Sequence, residues 1–564
     1  MPPLDRRSFL KGAAASAALG VAACDDSGPP PVAATPAPTP APTPSPAPSP
    51  TPTTPPSFKH AVASGDPLPT AVILWTRLSD VSTDTPAQWQ IATDEAFAQV
   101  VASGTAVALA ASDYTVKVDA AGLAPATSYF YRFTSGGVAS PTGRTRTAPV
   151  AAVASLRFAV VTCSDITRGL YNAYARVAEL EDVQAVIHLG DYIYETGRID
   201  RVRPHDPPRR ITTLADYRRR YASYRETIEL QNVHIAHPMI WVWDDHETCD
   251  AAWRHGADPA DHEPETDGPW ELRRAAGMQA ASEWLPIRLP EPGRFERIYR
   301  HFSFGPLADL TMIDTRQIGR SQQVENNAEQ GFLQTGDFTD PARTILGMEQ
   351  EAWVAEQFAR AEHTWRLIGN QVILSPLKIA GTPRATGTSV FANNDQWDGY
   401  EPARDRFLDA AAAAVENLVV LTGDVHASMA FEIARDPNNP ASYLPVTGRG
   451  SEGVEFVTPS ISSGGDQANP ASETDDPEAF AEALITAGSE VLRASNPHLK
   501  LFDASKNGYL LLTVTPESLR ADFWLVPTVL ELTDEQALGY AFDVAVGSNT
   551  LTEDLAVRAM GLAG

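Results

Sequence analysis

The chain has 564 residues, a formal net charge of −27 at pH 7 and only three cysteines. Its length exceeds what one compact core normally organises, so at least two folded units are predicted. The acidic charge excludes long-range attraction to nucleic acid or to an anionic membrane surface, and three cysteines exclude a disulfide-based scaffold.

Residues 1–24 have the pattern of an export signal. The pair Arg6-Arg7 precedes a stretch of small and apolar residues that is too short to span a bilayer, which needs about 20 residues. This order is typical of a twin-arginine signal, and a chance arginine pair before a buried helix is the alternative. Val21-Ala22-Ala23-Cys24 resembles a lipoprotein cleavage box, so a lipidated Cys24 would tether the protein to a membrane; cleavage without lipid is the alternative. We expect a periplasmic or membrane-anchored protein facing outside the cytoplasm.

Two further segments precede the main body of the chain. Residues 25–57 are dominated by Pro, Ala, Thr and Ser, which predicts an extended polyproline-like linker. Residues 58–148 contain short alternating strands separated by turns, such as Ala71–Thr76, and this predicts a small all-β sandwich. Within it, Leu123–Tyr131 resembles the corner of fibronectin type III domains in which a tyrosine fixes a strand turn.

From 155 to 530 the pattern predicts a layered α/β domain, and residues 531–564 form a C-terminal segment. Amphipathic segments such as 171–180 separate apolar strands that end in loops rich in Asp and His. In this class of fold, sites gather at the carboxyl ends of the strands. The strands are predicted at 156–162, 185–189, 239–243, 309–313, 365–368 and 418–422, followed by a hairpin at 509–515 and 521–526.

Four strand ends carry polar motifs. They are Cys163-Ser164-Asp165, Gly190-Asp191-Tyr192-Ile193-Tyr194-Glu195, Trp243-Asp244-Asp245-His246-Glu247 and Gly423-Asp424-Val425-His426. A single carboxylate after a strand is often only a helix cap, so each motif alone has that structural alternative. Together the four predict a site with several metal ligands, in which the phenol of Tyr194 can reach the cation bound by Asp191 three residues earlier.

Such a site suits the hydrolysis of phosphate esters. An anionic ester resists water until its charge is neutralised, a water molecule is acidified and the leaving oxygen is stabilised, and a pair of metal ions does all three. Carboxylates suit hard cations, and histidine or phenolate ligands suit Fe³⁺, although the same donors also accept Mn²⁺ or Mg²⁺.

The motifs also carry a family resemblance. Gly190-Asp191-x-x-Tyr194 and Gly423-Asp424-x-His426 look like variants of the calcineurin-like and purple acid phosphatase pattern, and the wider sequence resembles the alkaline phosphatase D family. The resemblance implies a calcineurin-like metallophosphoesterase fold, in which a layered β-sandwich is flanked by helices and preceded by a small fibronectin-like sandwich. Supporting segments are His60–Pro67, Ile73–Arg77, Trp397–Tyr400, Ser460–Gly465 and Asn496–His498.

The same resemblance implies a mixed centre of Fe³⁺ and Ca²⁺. Cys163, Asp191 and Tyr194 would hold the iron, with Asp191 bridging to calcium. His426 is a further candidate iron ligand. A hydroxide held by the metals would attack phosphorus in line, without a covalent enzyme intermediate.

Asp245 and Asp424 would bind the neighbouring cation. His246 would lie beside the phosphate as a proton donor or charge stabiliser, with Asp244 orienting it. Asp250 stands where the family usually has Asn, and its carboxylate is a further candidate calcium ligand.

Three other features have open interpretations. Cys163 and Cys249 would form a disulfide as a structural alternative to iron binding. The nine arginines between Arg198 and Arg225 form either a solvated helix face or a patch that steers substrate. His498, in an Asn-Pro-His context, is either a structural histidine or a site residue.

The leading hypothesis is an exported alkaline phosphatase or phosphodiesterase that acts on small phosphate esters and does not bind nucleic acid specifically. Alternatives within the enzymes are a phospholipase D-like or a nucleotide phosphodiesterase. An alternative from another class is a tethered surface-binding protein with a structural metal site.

Overall fold

The computed structural model describes residues 55–197, 202–324, 331–360, 363–464, 488 and 490–561. The chain divides into two compact units, Met1–Thr53 and Thr54–Gly564, and all described residues belong to the second unit. The predicted export signal, Cys24 and most of the predicted linker lie outside the described residues.

Ten strands form the first sheet. Its centre consists of three parallel strands made almost wholly of buried apolar residues, as expected for strands covered on both faces. In sheet order the strands are β25 (Thr552–Glu553), β24 (Ala537–Ala545), β23 (Ser518–Leu525), β22 (Gly508–Val514), β9 (Leu156–Val161), β10 (Ala185–His188), β11 (Pro238–Trp241), β1 (Val62–Leu68), β2 (Ala71–Arg77) and β5 (Thr115–Ala121).

Seven strands form the second sheet, which also has a parallel centre. Buried residues of both sheets, including Val160 and Leu512 of the first and Leu310 and Leu421 of the second, belong to one hydrophobic cluster. The two sheets therefore pack face to face. In sheet order the strands are β12 (Arg300–Phe304), β13 (Ala308–Met312), β15 (Trp365–Gly369), β18 (Leu418–Thr422), β20 (Val454–Val457), β19 (Ser428–Glu432) and β21 (Leu499–Asp503).

Helices cover the outer faces of this layered core. Ile368 and Val420, which alternate with the inward residues of their strands, pack with Val354 and Phe407 of two helices. The α-helices are α1 (Asn172–Ala178), α2 (Leu214–Arg225), α3 (Ile228–Ala236), α4 (Pro264–Asp267), α5 (Trp270–Trp284), α6 (Met348–Phe358), α7 (Glu401–Ala412) and α8 (Leu555–Gly561). Short 3-10 helices span Ala110–Ser112, Gly336–Thr339, Arg384–Thr386 and Trp397–Tyr400.

Two small sheets complete the fold. One contains β14 (Phe332–Leu333), β17 (Val390–Phe391) and β16 (Lys378–Ala380). The other contains β4 (Val100–Ala108), β3 (Thr85–Ala92), β6 (Ser128–Ser135) and β7 (Val138–Ala139), with β8 (Gly143–Arg146) paired to β6.

The N-terminal all-β region is a two-layered sandwich, as predicted. Val72 and Leu74 of β2 pack against Ile91 of β3 and Tyr131 of β6 in one cluster. One layer, however, is not separate, because β1 pairs in parallel with β11 and so continues the first sheet. This pairing was not predicted, since an edge strand and a strand that joins a larger sheet have the same alternating pattern.

The predicted tyrosine corner is present in this region. The hydroxyl of Tyr129 accepts a hydrogen bond of 2.8 Å from the backbone N–H of Ala124, and the tyrosine ring is buried. This bond fixes the turn that leads into β6.

The layered α/β fold predicted from the sequence is confirmed. All the predicted strands of the main domain, and both strands of its late hairpin, are observed with ends that differ by at most three residues. The loops that follow β9, β10, β11 and β18 hold the four polar motifs.

Candidate metal centre

Three of the four polar motifs contain unusual backbone conformations. Cys163, Asp191, Asp424 and His426 have φ angles of 55°, 57°, 66° and 56°, in the left-handed region that residues with a Cβ rarely adopt. Gly190 has a φ of 110°, and a Cβ added there would lie 2.4 Å from the backbone nitrogen of Asp244. Strained backbone of this kind concentrates where a fold aims side chains at a ligand.

Asp191 lies at the centre of the first group of candidate ligands. Its Oδ2 atom is 3.0 Å from the phenol oxygen of Tyr194 and 3.5 Å from the thiol sulfur of Cys163. The phenol oxygen of Tyr194 is in turn 3.2 Å from Nε2 of His426. The structure thus brings together four residues that are up to 263 positions apart in the chain: the three predicted iron ligands and His426, the further candidate.

Two further ligand groups are linked to this one by shared carboxylates. Asp191, Asp245 and His246 each offer a donor atom within 4.8 Å of the others, and so do Asp244, Asp245 and Asp424. Asp191 joins the first group to the second, and Asp245 joins the second to the third. Shared carboxylates are what a cluster of neighbouring cations requires.

Two carboxylate oxygens in these groups are buried without a hydrogen-bond partner among the described residues. They are Oδ1 of Asp191 and Oδ2 of Asp244. A buried carboxylate oxygen without a donor is costly, so native proteins normally supply one or bind a cation there. The donor set of a thiol, a phenol, imidazoles and carboxylates fits both a Lewis-acidic cation such as Fe³⁺ and a hard cation such as Ca²⁺.

Burial controls the protonation of these groups. It raises the pKa of Asp191 and of Asp424, and the neighbouring carboxylates add to the effect. It also raises the pKa of the Cys163 thiol and the Tyr194 phenol, and lowers the pKa of His426 to about 4. The site therefore resists negative charge unless positive charge accompanies it, which is the electrostatic condition for cation binding.

His246 is held by Glu195. Its Nδ1 atom lies 2.7 Å from Oε2 of Glu195, and its ring lies 4.1 Å from that of Tyr194, centroid to centroid. Burial alone would lower the pKa of His246, but the charges of Glu195 and Asp191 outweigh it and raise that pKa. Burial likewise opposes ionisation of Glu195, whose pKa His246 nevertheless lowers to about 2.

The role expected for Asp244 is therefore wrong. Asp244 does not orient His246; its Oδ1 atom accepts a hydrogen bond of 2.5 Å from Nε of Arg316. The chain turns after β11, at residues 245–248, so neighbouring side chains of this motif point in different directions.

Arg316 was not predicted and contacts four carboxylates. Its guanidinium is fully buried and lies 2.5 Å from Asp395, 2.8 Å from Asp424 and 3.6 Å from Asp245, besides its bond to Asp244. The signal in the sequence was the position of Arg316 just beyond the predicted strand 309–313. An arginine is not a metal ligand, so a search for ligand types does not find it.

Glu247 is a second unpredicted contributor. Its carboxylate accepts hydrogen bonds from the backbone N–H groups of Asp191, Tyr192 and Asp244, at 3.2, 2.7 and 2.9 Å. It thereby ties the loop after β10 to the loop after β11. Burial raises the pKa of Glu247 to about 7, even though these bonds favour the charged form.

Asp250 lies beside the metal centre but outside the three ligand groups found among the described residues. Its backbone N–H donates to Glu195 at 2.9 Å, and burial raises the pKa of its carboxyl to about 7. The assignment of Asp250 as a calcium ligand stays a prediction.

The structure also bears on the three features that had open interpretations in the sequence. Cys163 and Cys249 are free thiols, so the disulfide considered for them is not formed. Arg220 and Arg225 are fully buried, which neither a solvated face nor a steering patch predicts. Arg220 donates to the backbone oxygens of Tyr194, Pro207, Arg209 and Asp206 and so fixes the loop after β10. His498 is buried against the ring of Phe431, away from the ligand groups.

Within the described residues, no helix is both long and apolar enough to span a membrane.

Comparison with known proteins gives concordant matches over most of the chain. The sequence model described as PhoD-like phosphatase matches residues 158–523, and the one for the N-terminal domain of PhoD-like phosphatases matches residues 44–149. Alkaline phosphatase D of Bacillus subtilis (strain 168) is 34% identical over 548 residues, which cover 93% of this chain and 85% of the relative. A solved structure titled "Structure of PhoD" superposes with a TM-score of 0.78 at 33% identity, covering 90% of this chain and 93% of the other.

Proposed function

Because the chain belongs to the PhoD-like phosphatase family and is a phosphoric ester hydrolase, we propose that it hydrolyses phosphate monoesters and diesters at a metal centre built around Asp191. The observation that carries the proposal is the position of Asp191 in two ligand groups, with one oxygen buried and unpartnered among the described residues. Among the described carboxylates of the centre, Asp191 alone belongs to two ligand groups, has a buried oxygen without a hydrogen-bond partner, and contacts both a thiol and a phenol.

We assign the cations as follows. Cys163, Asp191, Tyr194 and His426 would hold Fe³⁺, and carboxylates of the other two groups would hold Ca²⁺. When bound, these cations would neutralise the ester and acidify a water molecule for attack on phosphorus. Mn²⁺ or Mg²⁺ would also satisfy the carboxylates.

The side chains of the centre would then bind the ester and hold the ligand residues in place. The side chains of His246 and Asp424 are each 17% exposed, whereas that of Arg316 is fully buried, so the ester would enter on the side of His246. Nδ1–H of His246 donates to the Glu195 carboxylate, and the raised pKa of His246 favours the imidazolium, in which Nε2–H is the second donor and can bind a phosphate oxygen or the leaving oxygen. Arg316 and Glu247 would keep the carboxylates and loops in place as charge accumulates.

The assay that tests this function uses an aryl phosphomonoester and the matching aryl phosphodiester. We expect both to be hydrolysed, with activity lost in chelator and restored by iron with calcium. Hydrolysis of neither ester after metal loading would contradict the proposal. Hydrolysis of a phospholipid or nucleotide diester alone would support the narrower phosphodiesterase alternatives.

We also propose that the enzyme acts outside the cytoplasm. The support is the sequence of residues 1–24, with its arginine pair and Cys24. Replacing both Arg6 and Arg7 by Lys should retain the protein in the cytoplasm, and Cys24→Ser should release exported protein from the membrane fraction. Unchanged export of the double-lysine variant would contradict the twin-arginine route.

A further inference from the structure

One cavity outside the candidate metal centre lies between the start of β12, the end of β1 and helix α6. Its volume is about 300 Å³, at the lower end of the range for small-molecule sites. None of its lining residues belongs to the three ligand groups or is hydrogen-bonded to one of their side chains, among the residues the structure describes. The cavity is therefore a separate feature from the catalytic centre.

The charge of this cavity is opposite to that of the whole chain. Its lining includes four arginines, at positions 288, 297, 300 and 360, but a single carboxylate, Asp66. Asp66 is already paired with Arg300 at 3.0 Å, and Arg288 is paired with Asp119 at 2.6 Å. In a chain of net charge −27, a cavity lined mainly by guanidinium groups is unexpected and indicates an anionic ligand.

Two of the arginines retain donors for a ligand. Arg360, two residues beyond the end of α6, is exposed and has no ion pair among the described residues. Arg297 pairs with Glu291 through Nη1, and its side chain is 24% exposed. Guanidinium groups match the planar geometry of phosphate oxygens and bind them with paired hydrogen bonds.

Aromatic rings form another wall of the same cavity. The rings of Tyr299 and Trp353 lie 4.8 Å apart at an angle of 57°, and Phe302 is also in the lining. The Arg297 guanidinium lies 5.1 Å from the centre of the Tyr299 ring. Cationic donors are thus placed next to flat apolar surface, which stacks favourably on a planar ring of a ligand.

From this juxtaposition we propose that the cavity is a non-catalytic binding site for a small phosphate-bearing ligand with a planar ring, of the size of a nucleoside monophosphate. The phosphate binds Arg297 and Arg360, and the ring stacks on Trp353. His301 adds no charge near neutral pH, because burial lowers its pKa to about 4. This site does not depend on the activity assigned to the metal centre.

The test is calorimetric titration of the full chain with adenosine carrying a non-hydrolysable 5′-phosphonate, so that turnover does not interfere. We expect saturable binding that weakens at least about tenfold in Arg360→Ser and in Trp353→Leu, each removing one anchor. Arg558→Ser, which removes an exposed arginine of α8, is the matched control and should bind as the unmodified protein does. Ester hydrolysis should be unchanged in all three variants.

Two fragments of the ligand separate the contribution of the ring to binding from that of the phosphate. Adenosine and inorganic phosphate should each bind at least about tenfold more weakly than the phosphonate, because each lacks one of the two contacts. Binding that persists unchanged in Arg360→Ser and Trp353→Leu would lie elsewhere and would overturn the assignment. Equal affinity for inorganic phosphate and the phosphonate would overturn the role of the ring.

Discussion

Nδ1 of His246 lies 2.7 Å from a carboxylate oxygen of Glu195, which joins the loop after β11 to the loop after β10. Glu195 also accepts a hydrogen bond from the backbone N–H of Asp250 at 2.9 Å. The imidazole of His246 is therefore oriented from across the site, and not by its neighbour Asp244.

Glu195→Gln should lower kcat more than it raises KM. Gln cannot hold the imidazole through a charged acceptor, and loss of a partner that orients a reacting group typically costs about 10- to 100-fold. Steady-state kinetics on the aryl ester measure the effect, and Glu179→Gln, at a glutamate whose side chain is 62% exposed, is the control. An unchanged kcat in Glu195→Gln would show that this contact does not position His246.

Tyr194→Phe tests the iron assignment. A phenolate bound to Fe³⁺ gives a visible charge-transfer band, so the purified protein should be coloured and the variant should lose the band. The ring stays, and its packing against His246 should keep the fold intact, as thermal unfolding would check. A colourless, iron-free protein that is fully active would contradict the iron assignment.

Arg316→Met should destabilise the protein most when cations are removed. Deleting the buried guanidinium leaves Asp244, Asp395 and Asp424 repelling one another, and breaking a buried ion pair typically costs about 3–5 kcal/mol. Urea unfolding in chelator should show this loss, and added calcium should recover part of it by replacing the missing positive charge. Equal stability of the variant and the unmodified protein in chelator would contradict this account.

The stability of the fold should fall in acid because of buried histidines such as His60. Burial, followed by the charges of Arg77 and Arg225, lowers the pKa of His60 from 6.5 to about 3. A depressed pKa means that the unfolded chain takes up the proton first, so stability present above pH 6.5 is lost as the pH falls toward 3.

His60→Phe should reduce this acid sensitivity. The phenyl ring can keep the edge contact with Trp284, which lies 5.0 Å from the imidazole, and it does not titrate. Between pH 7 and pH 4.5 the variant should lose about 2 kcal/mol less unfolding free energy than the unmodified protein. Parallel losses in the two proteins would show that His60 does not contribute.

Much of this architecture was accessible from the sequence, for identifiable reasons. Strands such as 156–161 and 418–422 contain continuous apolar runs at 158–161 and 418–421, and Asp191 and Asp424 follow strands in motifs that a family shares. The contacts of Glu195 and Arg316 were not accessible, because they join loops that are 51 and more residues apart. Nothing local to either residue specifies which carboxylate or imidazole it meets.

The pairing of β1 with β11 was hidden for a related reason. The register that sets Gly65 beside Met239 depends on the close approach of the backbone there, since a Cβ at Gly65 would lie 2.6 Å from the carbonyl oxygen of Met239. A glycine in a strand signals close approach but does not name the partner.

The most direct test of the metal centre is Asp191→Asn, with metal content and turnover measured on the same preparation. The account predicts loss of more than one type of bound cation and a fall in turnover of more than about 100-fold, because one carboxylate serves two ligand groups. Asp409→Asn, at a carboxylate whose side chain is 71% exposed, should change neither quantity. Full turnover with an unchanged metal content in Asp191→Asn would contradict the account.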